Sequence, residues 1–330
     1  MIVDAHLDLA YNALLGRDLT LSLAELRASD PVSDVAAVTF ETLARGGVGL
    51  CFGTLFVAPR DAEHPWGFED QPGARASAIR QLDQYLRWQD TGHLRLLGTA
   101  SEVADHAARW SPETSPLGVV LLMEGADPLK SADDLPFWAA RGVRLLGPTW
   151  VHRNVFAGGN AEPGPLSERG EELMLAMREL NVALDVSHLS EQSFWRAIEL
   201  QPKVIASHSN ARAVVKTERH LSDEMLEAIG EREGMVGTVL YNKFLRPDWQ
   251  RGDARPPLEV VGEMMARLAE IVGWERVGIG SDLDGGFGVN ELPRGLESAA
   301  DLPGIGDVVP DEARDGVLGG NWLWWLERNL

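Results

Sequence analysis

The chain of 330 residues is 45% hydrophobic, and its 50 Asp and Glu residues outnumber 30 Lys and Arg residues to give a net charge of −20. That length can bury the core of one α/β barrel or of two ordinary domains, and the negative charge argues against nucleic acid or an anionic membrane as a partner. Cys51 is the only cysteine, which excludes an intrachain disulfide and a cysteine-rich zinc site.

The N-terminal sequence and the hydropathy predict a cytoplasmic protein without a membrane partner. MIVDAH enters strand-like sequence at once and leaves no room for the charged and apolar regions of a signal peptide. No apolar run reaches the ~18 residues that a membrane span needs.

Eight short apolar runs rich in Val, Ile and Leu alternate with helical patterns along the chain. The runs are 2–6, 48–56, 117–124, 143–150, 182–188, 203–208, 235–241 and 276–282. The helical patterns include 168–180, 190–200 with Ser190 as the predicted N-cap, 222–233 and 258–272. This alternation is typical of βα units around a parallel sheet, and eight strands is the number in a TIM-type barrel.

We therefore predict one (β/α)8 barrel domain over residues 1–330. The run 93–98 is surplus to the eight and is interpreted as an outlying strand. The Gly- and Pro-rich stretches 153–168 and 283–311 are predicted to be long loops that follow strand ends, where barrel enzymes carry their active sites.

Titratable side chains stand at the carboxyl ends of five of these runs, and such ends meet on one face of a barrel. His6 and Asp8, two residues apart, would project side by side from the first strand. The full set is His6, Asp8, Glu124, His188, His208 and Asp282.

Three of these residues are histidines, and with one Asp and one Glu they offer five metal ligands. A single zinc site usually takes three protein ligands and a water, so five ligands fit two cations ~3.5–4 Å apart better. Glu124 would be the bridge, His6 and Asp8 would complete one site, and His188 and His208 the other. Two divalent cations can acidify a water and polarise a carbonyl, which implies hydrolysis.

Each residue taken singly also has a structural interpretation. A strand histidine is commonly a satisfied core or surface residue, Glu124 could be a buried ion-pair partner, and Asp282 or Asp284 could cap a turn. The coincidence of all of them at one rim favours the metal interpretation.

Several motifs identify a family resemblance. They are DAHLDL (4–9), MEGAD (123–127), PLSERG (165–170), LDVSHLS (184–190), VIASHSNAR (204–212), GIGSDLDG (278–285) and GNWLWWL (320–326). In this order and combination the chain resembles the membrane (renal) dipeptidases, a branch of the amidohydrolase superfamily. The resemblance implies a (β/α)8 barrel with two zinc ions that cleaves the amide bond of a dipeptide.

The resemblance also implies roles for individual residues. His6, Asp8 and Glu124 match the ligands of one zinc, and Glu124, His188 and His208 those of the other.

Arg219 matches the arginine that grips the substrate's C-terminal carboxylate, a task that suits a guanidinium fork. Asp282 matches the aspartate that takes a proton from the bridging water and passes it to the leaving amine. Asp284 remains an alternative, because on a regular strand the two aspartates would share a face.

One position departs from the family pattern. Members commonly carry Leu-Thr-His after the glutamate strand, and that histidine hydrogen-bonds the scissile carbonyl or its oxyanion, whereas this chain has Trp150 there. Trp150 keeps an N–H donor but cannot titrate, and His152 could substitute for it. The departure leaves two alternatives open: another small amide, N-acyl amino acid or lactone as the substrate, or a dipeptide-binding protein with weak catalysis.

The resemblance is to a soluble bacterial-type member of a family that is often dimeric. The cluster WLWW (322–325) could pack on the barrel or on the partner of a homodimer, and core packing is the preferred interpretation.

Overall fold

A parallel β-sheet closed into a barrel lies at the centre of the protein, seen here in a computed structural model that describes residues 1–62 and 64–330. Eight strands form the ring in the order β1-β2-β4-β5-β6-β7-β8-β9, because β2 pairs with β4 and β9 pairs with β1. This confirms the predicted TIM-type barrel. The strands are β1 (Ile2–Leu7), β2 (Val48–Phe56), β3 (Leu94–Leu96), β4 (Leu117–Glu124), β5 (Val143–Gly147), β6 (Ala183–Asp185), β7 (Val204–Ala206), β8 (Met235–Thr238) and β9 (Val277–Ile279).

Strand β3 is the predicted outlying strand. It pairs with the first residues of β4, where Leu94 lies opposite Leu117 and Leu96 opposite Val119. The later residues of β4, from Leu121 onward, pair with β5 instead. The surplus apolar run therefore extends the sheet at one end without entering the ring.

Helices surround the barrel, and those predicted at 168–180, 190–200, 222–233 and 258–272 are present. Ser167, Ser190 and Ser222 each cap a helix by accepting a backbone N–H three residues on. The helices are α1 (Leu9–Leu14), α2 (Leu23–Ser29), α3 (Phe40–Arg45), α4 (Gln71–Asp90), α5 (Ala100–Arg109), α6 (Leu135–Ala139), α7 (Glu168–Glu179), α8 (Glu191–Leu200), α9 (Asp223–Glu231), α10 (Asn242–Leu245), α11 (Glu259–Val272) and α12 (Asn321–Asn329). Among the described residues, no helix is long and apolar enough to cross a membrane.

Several strands end earlier than the sequence predicted. β5 stops at Gly147 because Pro148 has no N–H for the ladder, so Trp150 lies in the following loop. β6 stops at Asp185, whose carboxylate accepts the backbone N–H of Ser187 (3.0 Å) and turns the chain. His188 and His208 therefore lie in turns just beyond their strands, whereas His6 lies within β1.

Helix α12 closes the other side of the core. Trp322 and Trp325 are buried in a cluster with Val3, Leu50 and alternate residues of other barrel strands. Alternate strand residues share a face, so this cluster is the barrel interior. The Trp322 indole N–H donates to the carbonyl of Ile279 (3.0 Å). The tryptophan cluster therefore packs on the barrel, which is the interpretation favoured from the sequence.

Of the two predicted long loops, the one after β5 runs without regular structure to α7, which begins at Glu168. The stretch 283–311 differs from the prediction because it contains two 3₁₀ segments, Val289–Glu291 and Ala299–Asp307.

Candidate metal centre

The titratable residues predicted at strand ends meet at one end of the barrel. Strands β1 and β4 carry His6 and Glu124, and the others follow β1, β6, β7 and β9 by no more than three residues. Each of the six is at most 9% exposed. The six are His6, Asp8, Glu124, His188, His208 and Asp282.

The carboxylate of Glu124 lies between histidines from opposite sides of the ring. Its Oε2 is 3.3 Å from Nε2 of His6. Its Oε1 is 3.2 Å from Nε2 of His188 and 3.5 Å from Nε2 of His208. One oxygen of Glu124 therefore faces His6 and the other faces His188 and His208, as a bridging carboxylate requires.

Asp8 joins the His6 side of this arrangement. Its Oδ1 lies 3.9 Å from Nε2 of His6 and accepts a short hydrogen bond from the hydroxyl of Thr54. Thr54 is a buried polar residue inside an apolar strand, and the sequence contained no signal for its role.

The hydrogen-bond partners of His188 test whether a cation fits here. Nδ1 of His188 faces the side-chain oxygen of Asn160 (3.0 Å), an acceptor, so Nδ1 carries the hydrogen and Nε2 keeps its lone pair. Nε2 of His188 lies 3.2 Å from Oε1 of Glu124 and 3.0 Å from Nε2 of His208. The ligand atoms of Glu124, His188 and His208 all lie within 4.8 Å of one another, and a cluster of imidazoles with a carboxylate suits a divalent metal.

The surroundings of the three histidines shift their pKa values in different directions. Burial opposes a charge on His6, but the neighbouring carboxylates, Glu124 foremost, outweigh it and raise the pKa of His6 to about 10. Burial, reinforced by the charge of Arg219, lowers the pKa of His188 to about 4. Burial and the charge of His6 hold the pKa of His208 well below its usual value. Neutral imidazoles are the form that binds a metal.

The pKa values of the acidic residues reflect their burial and their close spacing. Burial, followed by the charge of Glu124, raises the pKa of Asp8 to about 6. Burial likewise raises the pKa of Asp282 well above its usual range. Burial opposes the charge on Glu124, but His6 and His188 outweigh it, so its pKa is lowered.

The two candidate aspartates after β9 occupy different surroundings. Oδ1 of Asp282 is 3.9 Å from Nε2 of His6, at the centre of the site. The carboxylate of Asp284 instead accepts the backbone N–H groups of Ala37 and Val38 and lies 3.6 Å from Arg17. Both aspartates have positive φ, 59° and 63°, so the backbone turns here and sends the two side chains apart.

Arg219 is buried beside the site, where its guanidinium donates to neutral groups. It is 5% exposed, donates from Nη2 to the carbonyl of His208 (2.7 Å) and from Nη1 to Ser209 Oγ (3.2 Å), and leaves its Nε–H unpartnered. Within the described residues, no acidic side chain lies at ion-pair distance from its guanidinium. A buried guanidinium with an unpartnered N–H can bind an anion.

Trp150 and His152 stand on the outer side of the centre. The Trp150 ring is centred 6.1 Å from the His188 ring, and none of the described hydrogen bonds uses its indole N–H. His152 turns away, with Nδ1 at 3.1 Å from Glu162 and a side chain that is 39% exposed. Both residues line a cavity of about 570 Å³ next to the site.

Comparison with known proteins places this geometry in a family. Residues 1–323 match the family model described as membrane dipeptidase (peptidase family M19). A Klebsiella pneumoniae protein, described as an uncharacterized protein in the pqqA 5′ region, is 33% identical over 247 residues, which are 71% of this chain and 88% of that protein.

Two solved structures share the fold over their whole length. A metallopeptidase from Rhodobacter sphaeroides, liganded with a phosphinate mimic of the dipeptide L-Ala-D-Ala, superposes with a TM-score of 0.84 at 26% identity, covering 100% of this chain and 99% of that one. The dipeptidase AC, a metallopeptidase of family M19, superposes with a TM-score of 0.83 at 26% identity, covering 99% and 98%. The chain therefore belongs to the membrane dipeptidase family, peptidase family M19, and is a metal-dependent hydrolase.

Proposed function

We propose that the protein is a dipeptidase that holds two zinc ions at the carboxyl end of the barrel. His6, Asp8 and Glu124 would bind one ion, and Glu124, His188 and His208 the other. The division of the two Glu124 oxygens between His6 and the two later histidines carries this proposal. Bound zinc ions would supply an acidified water and a polarised substrate carbonyl.

Arg219 would select substrates with a free carboxylate close to the scissile bond. Its guanidinium is fixed to the carbonyl of His208, one of the proposed ligands, and still has N–H groups to donate. A substrate that reaches from the metal centre to this guanidinium has to be short. The distance between these fixed groups would therefore favour dipeptides over longer peptides.

Asp282 would move the proton during cleavage. Its carboxylate faces the centre beside His6, and burial raises its pKa so that it can hold a proton between two steps. It would accept the proton from the attacking water and give it to the leaving amine. Asp284 is the weaker candidate, because its oxygens are engaged by Ala37 and Val38.

Trp150 would donate its indole N–H to the substrate carbonyl in place of the family histidine. Its ring is centred 6.1 Å from the His188 ring, whereas the side chain of His152 is bound to Glu162. An indole donor can stabilise an oxyanion but cannot exchange protons with it.

Metal analysis and a dipeptide panel test the proposal. The purified protein is stripped of metal, reconstituted with zinc, and assayed against L,L-dipeptides, N-acetyl amino acids, dipeptide amides and a lactone. L-Ala-D-Ala belongs in the panel because the similar Rhodobacter sphaeroides protein was crystallised with a mimic of it. We expect two zinc ions per chain and turnover of free dipeptides. Turnover confined to the lactone or the N-acetyl amino acids would reject the dipeptidase, and one zinc ion per chain at saturation would reject the bridge.

A further inference from the structure

A single hydroxyl group touches imidazoles on both sides of the proposed metal centre. The Oγ of Ser207 lies 3.2 Å from Nδ1 of His6 and 2.8 Å from Nδ1 of His208. Ser207 is completely buried, and the two imidazole rings are centred 3.6 Å apart. These contacts are on the ring nitrogens that face away from Glu124.

The backbone of Ser207 packs closely against two glycines, one on β8 and one directly after β9. A Cβ atom on Gly237 would lie 1.9 Å from the Ser207 carbonyl oxygen, and one on Gly280 would lie 1.8 Å from it. Only glycine permits this close approach. The neighbouring strands thus determine where the hydroxyl stands.

Asp185 decides which way the hydrogen of this hydroxyl points. Oδ2 of Asp185 is 2.5 Å from Ser207 Oγ, and Oδ1 accepts the backbone N–H groups of Ser187 (3.0 Å) and Ser207 (2.9 Å). An ionised carboxylate only accepts, so Ser207 donates its one hydrogen to Asp185. The oxygen of Ser207 is then left with two lone pairs that can accept hydrogen bonds. The hydroxyl oxygen of Ser187 lies 3.4 Å away, farther than the nitrogen of either imidazole.

Both imidazoles must therefore donate to Ser207. With Nδ1–H directed at Ser207, His6 and His208 each present Nε2, the nitrogen that would bind a metal, to the site where Glu124 lies. We infer that Asp185 and Ser207 form a positioning pair that sets the tautomer of one proposed ligand on each metal. The inference rests on the proposed metal centre and concerns residues that do not touch the substrate.

The isosteric change Asp185→Asn distinguishes this role from simple packing. Two backbone N–H groups would hold the amide oxygen in the place of Oδ1 and turn the NH2 group toward Ser207. Ser207 would then accept from the amide and donate to an imidazole. One imidazole would have to move its hydrogen to Nε2, where it can no longer bind a metal.

A second Asp–Ser pair in the same barrel provides the matched control. Oδ1 of Asp4 accepts the backbone N–H groups of His6 (3.3 Å) and Ser281 (2.8 Å), and its Oδ2 accepts the Ser281 hydroxyl. The Ser281 oxygen accepts the backbone N–H of Leu283 (3.2 Å), and no hydrogen bond among the described residues joins it to an imidazole. Asp4→Asn therefore removes the same charge without reaching a ring nitrogen.

The test measures zinc affinity and imidazole protonation in the full chain. Zinc dissociation constants are obtained by competition with a chelator for the wild type and for S207A, D185N, S281A and D4N, with melting temperatures to verify folding. Removing a group that orients metal ligands typically weakens binding ~10–100-fold, and we expect this loss for S207A and D185N but a far smaller one for S281A and D4N. In 15N-histidine NMR spectra of the zinc-loaded wild type, His6 and His208 should both carry the hydrogen on Nδ1.

The outcomes separate this inference from the proposed function. Wild-type zinc affinity and imidazole spectra in folded S207A would overturn it, as would equal losses in D185N and D4N. Should S207A retain zinc while D185N alone loses it, Asp185 acts through its charge or as a ligand, and the pair is again refuted. A wild type that binds zinc but leaves dipeptides intact would reject the dipeptidase and leave the positioning pair standing.

Discussion

Arg219→Ala offers the most direct test of how the protein recognises the carboxylate of its substrate. The guanidinium is buried, is anchored to His208 and Ser209, and keeps its Nε–H unpartnered. Truncating one partner of a buried, hydrogen-bonded charge pair costs ~2–5 kcal/mol. Since ~1.4 kcal/mol is a factor of ten, kcat/KM for a dipeptide should fall by roughly 30- to 4,000-fold.

The assay compares a dipeptide with the same dipeptide carrying a C-terminal amide. The wild type should lose much of its kcat/KM on the amide, whereas Arg219→Ala should treat the two substrates almost alike. Arg219→Lys should recover only part of the loss, because an ammonium lacks the two-pronged fork.

Arg212→Ala is the matched control, because Arg212 follows the same strand but is paired with Glu191 (2.5 Å) and Glu218 (3.6 Å). Equal losses on both substrates in Arg219→Ala, or the same loss in Arg212→Ala, would refute the carboxylate-binding role.

The other predictions concern the metal bridge, the proton carrier, the carbonyl donor and the acid limb of stability. Glu124→Gln should lower the zinc content measured by elemental analysis below two per chain and reduce kcat by at least ~10³-fold, because it weakens both sites at once; two tightly held ions would contradict the bridge. Asp282→Asn should keep its zinc and lose ~10²–10⁴-fold in kcat, whereas Asp284→Asn should mainly lower the melting temperature; the reverse pattern would exchange their roles. Trp150→Phe removes the indole N–H but keeps an aromatic ring, and it should cost ~10²–10³-fold in kcat, so an unchanged kcat would exclude this donor. Burial, with the charges of the two nearby arginines, holds the pKa of His220 well below its usual value, so the folded protein keeps it neutral while the unfolded chain takes up a proton below pH ~6.5. Below pH ~6.5, each further drop of one pH unit should therefore lower the free energy of unfolding of the wild type by up to ~1.4 kcal/mol more than that of His220→Phe. Denaturant titrations that give parallel curves of unfolding free energy against pH for the two proteins would contradict this.

Strand β4 shows what a local sequence pattern can predict. Its apolar run, ended by Glu124, predicted both the strand and the position of the carboxylate, because a strand covered on both faces is apolar along its whole length. The same reasoning made the strand before His188 too long. His188 has φ 66°, a turn conformation imposed when Asp185 binds the backbone of Ser187, and no periodicity signals such a turn.

The choice between Asp282 and Asp284 was also beyond the sequence. Strand alternation would put the two on one face, but each has positive φ, and they diverge toward His6 and toward Ala37. The loop that binds Asp284 lies 247 residues away along the chain. Only folding brings these groups into contact.

By itself the sequence determined the order of strands and helices, the types of side chain at the strand ends, and thereby the chemistry that those side chains can perform. These depend on periodicity and residue type, which are local. Tertiary structure alone decided which oxygen of Glu124 meets which imidazole, that Ser207 lies between His6 and His208, and that Trp150 packs near His188 while His152 contacts Glu162. Those distances are set when β1 pairs with both β2 and β9, a closure that joins residues as far apart as Asp4 and Ile279.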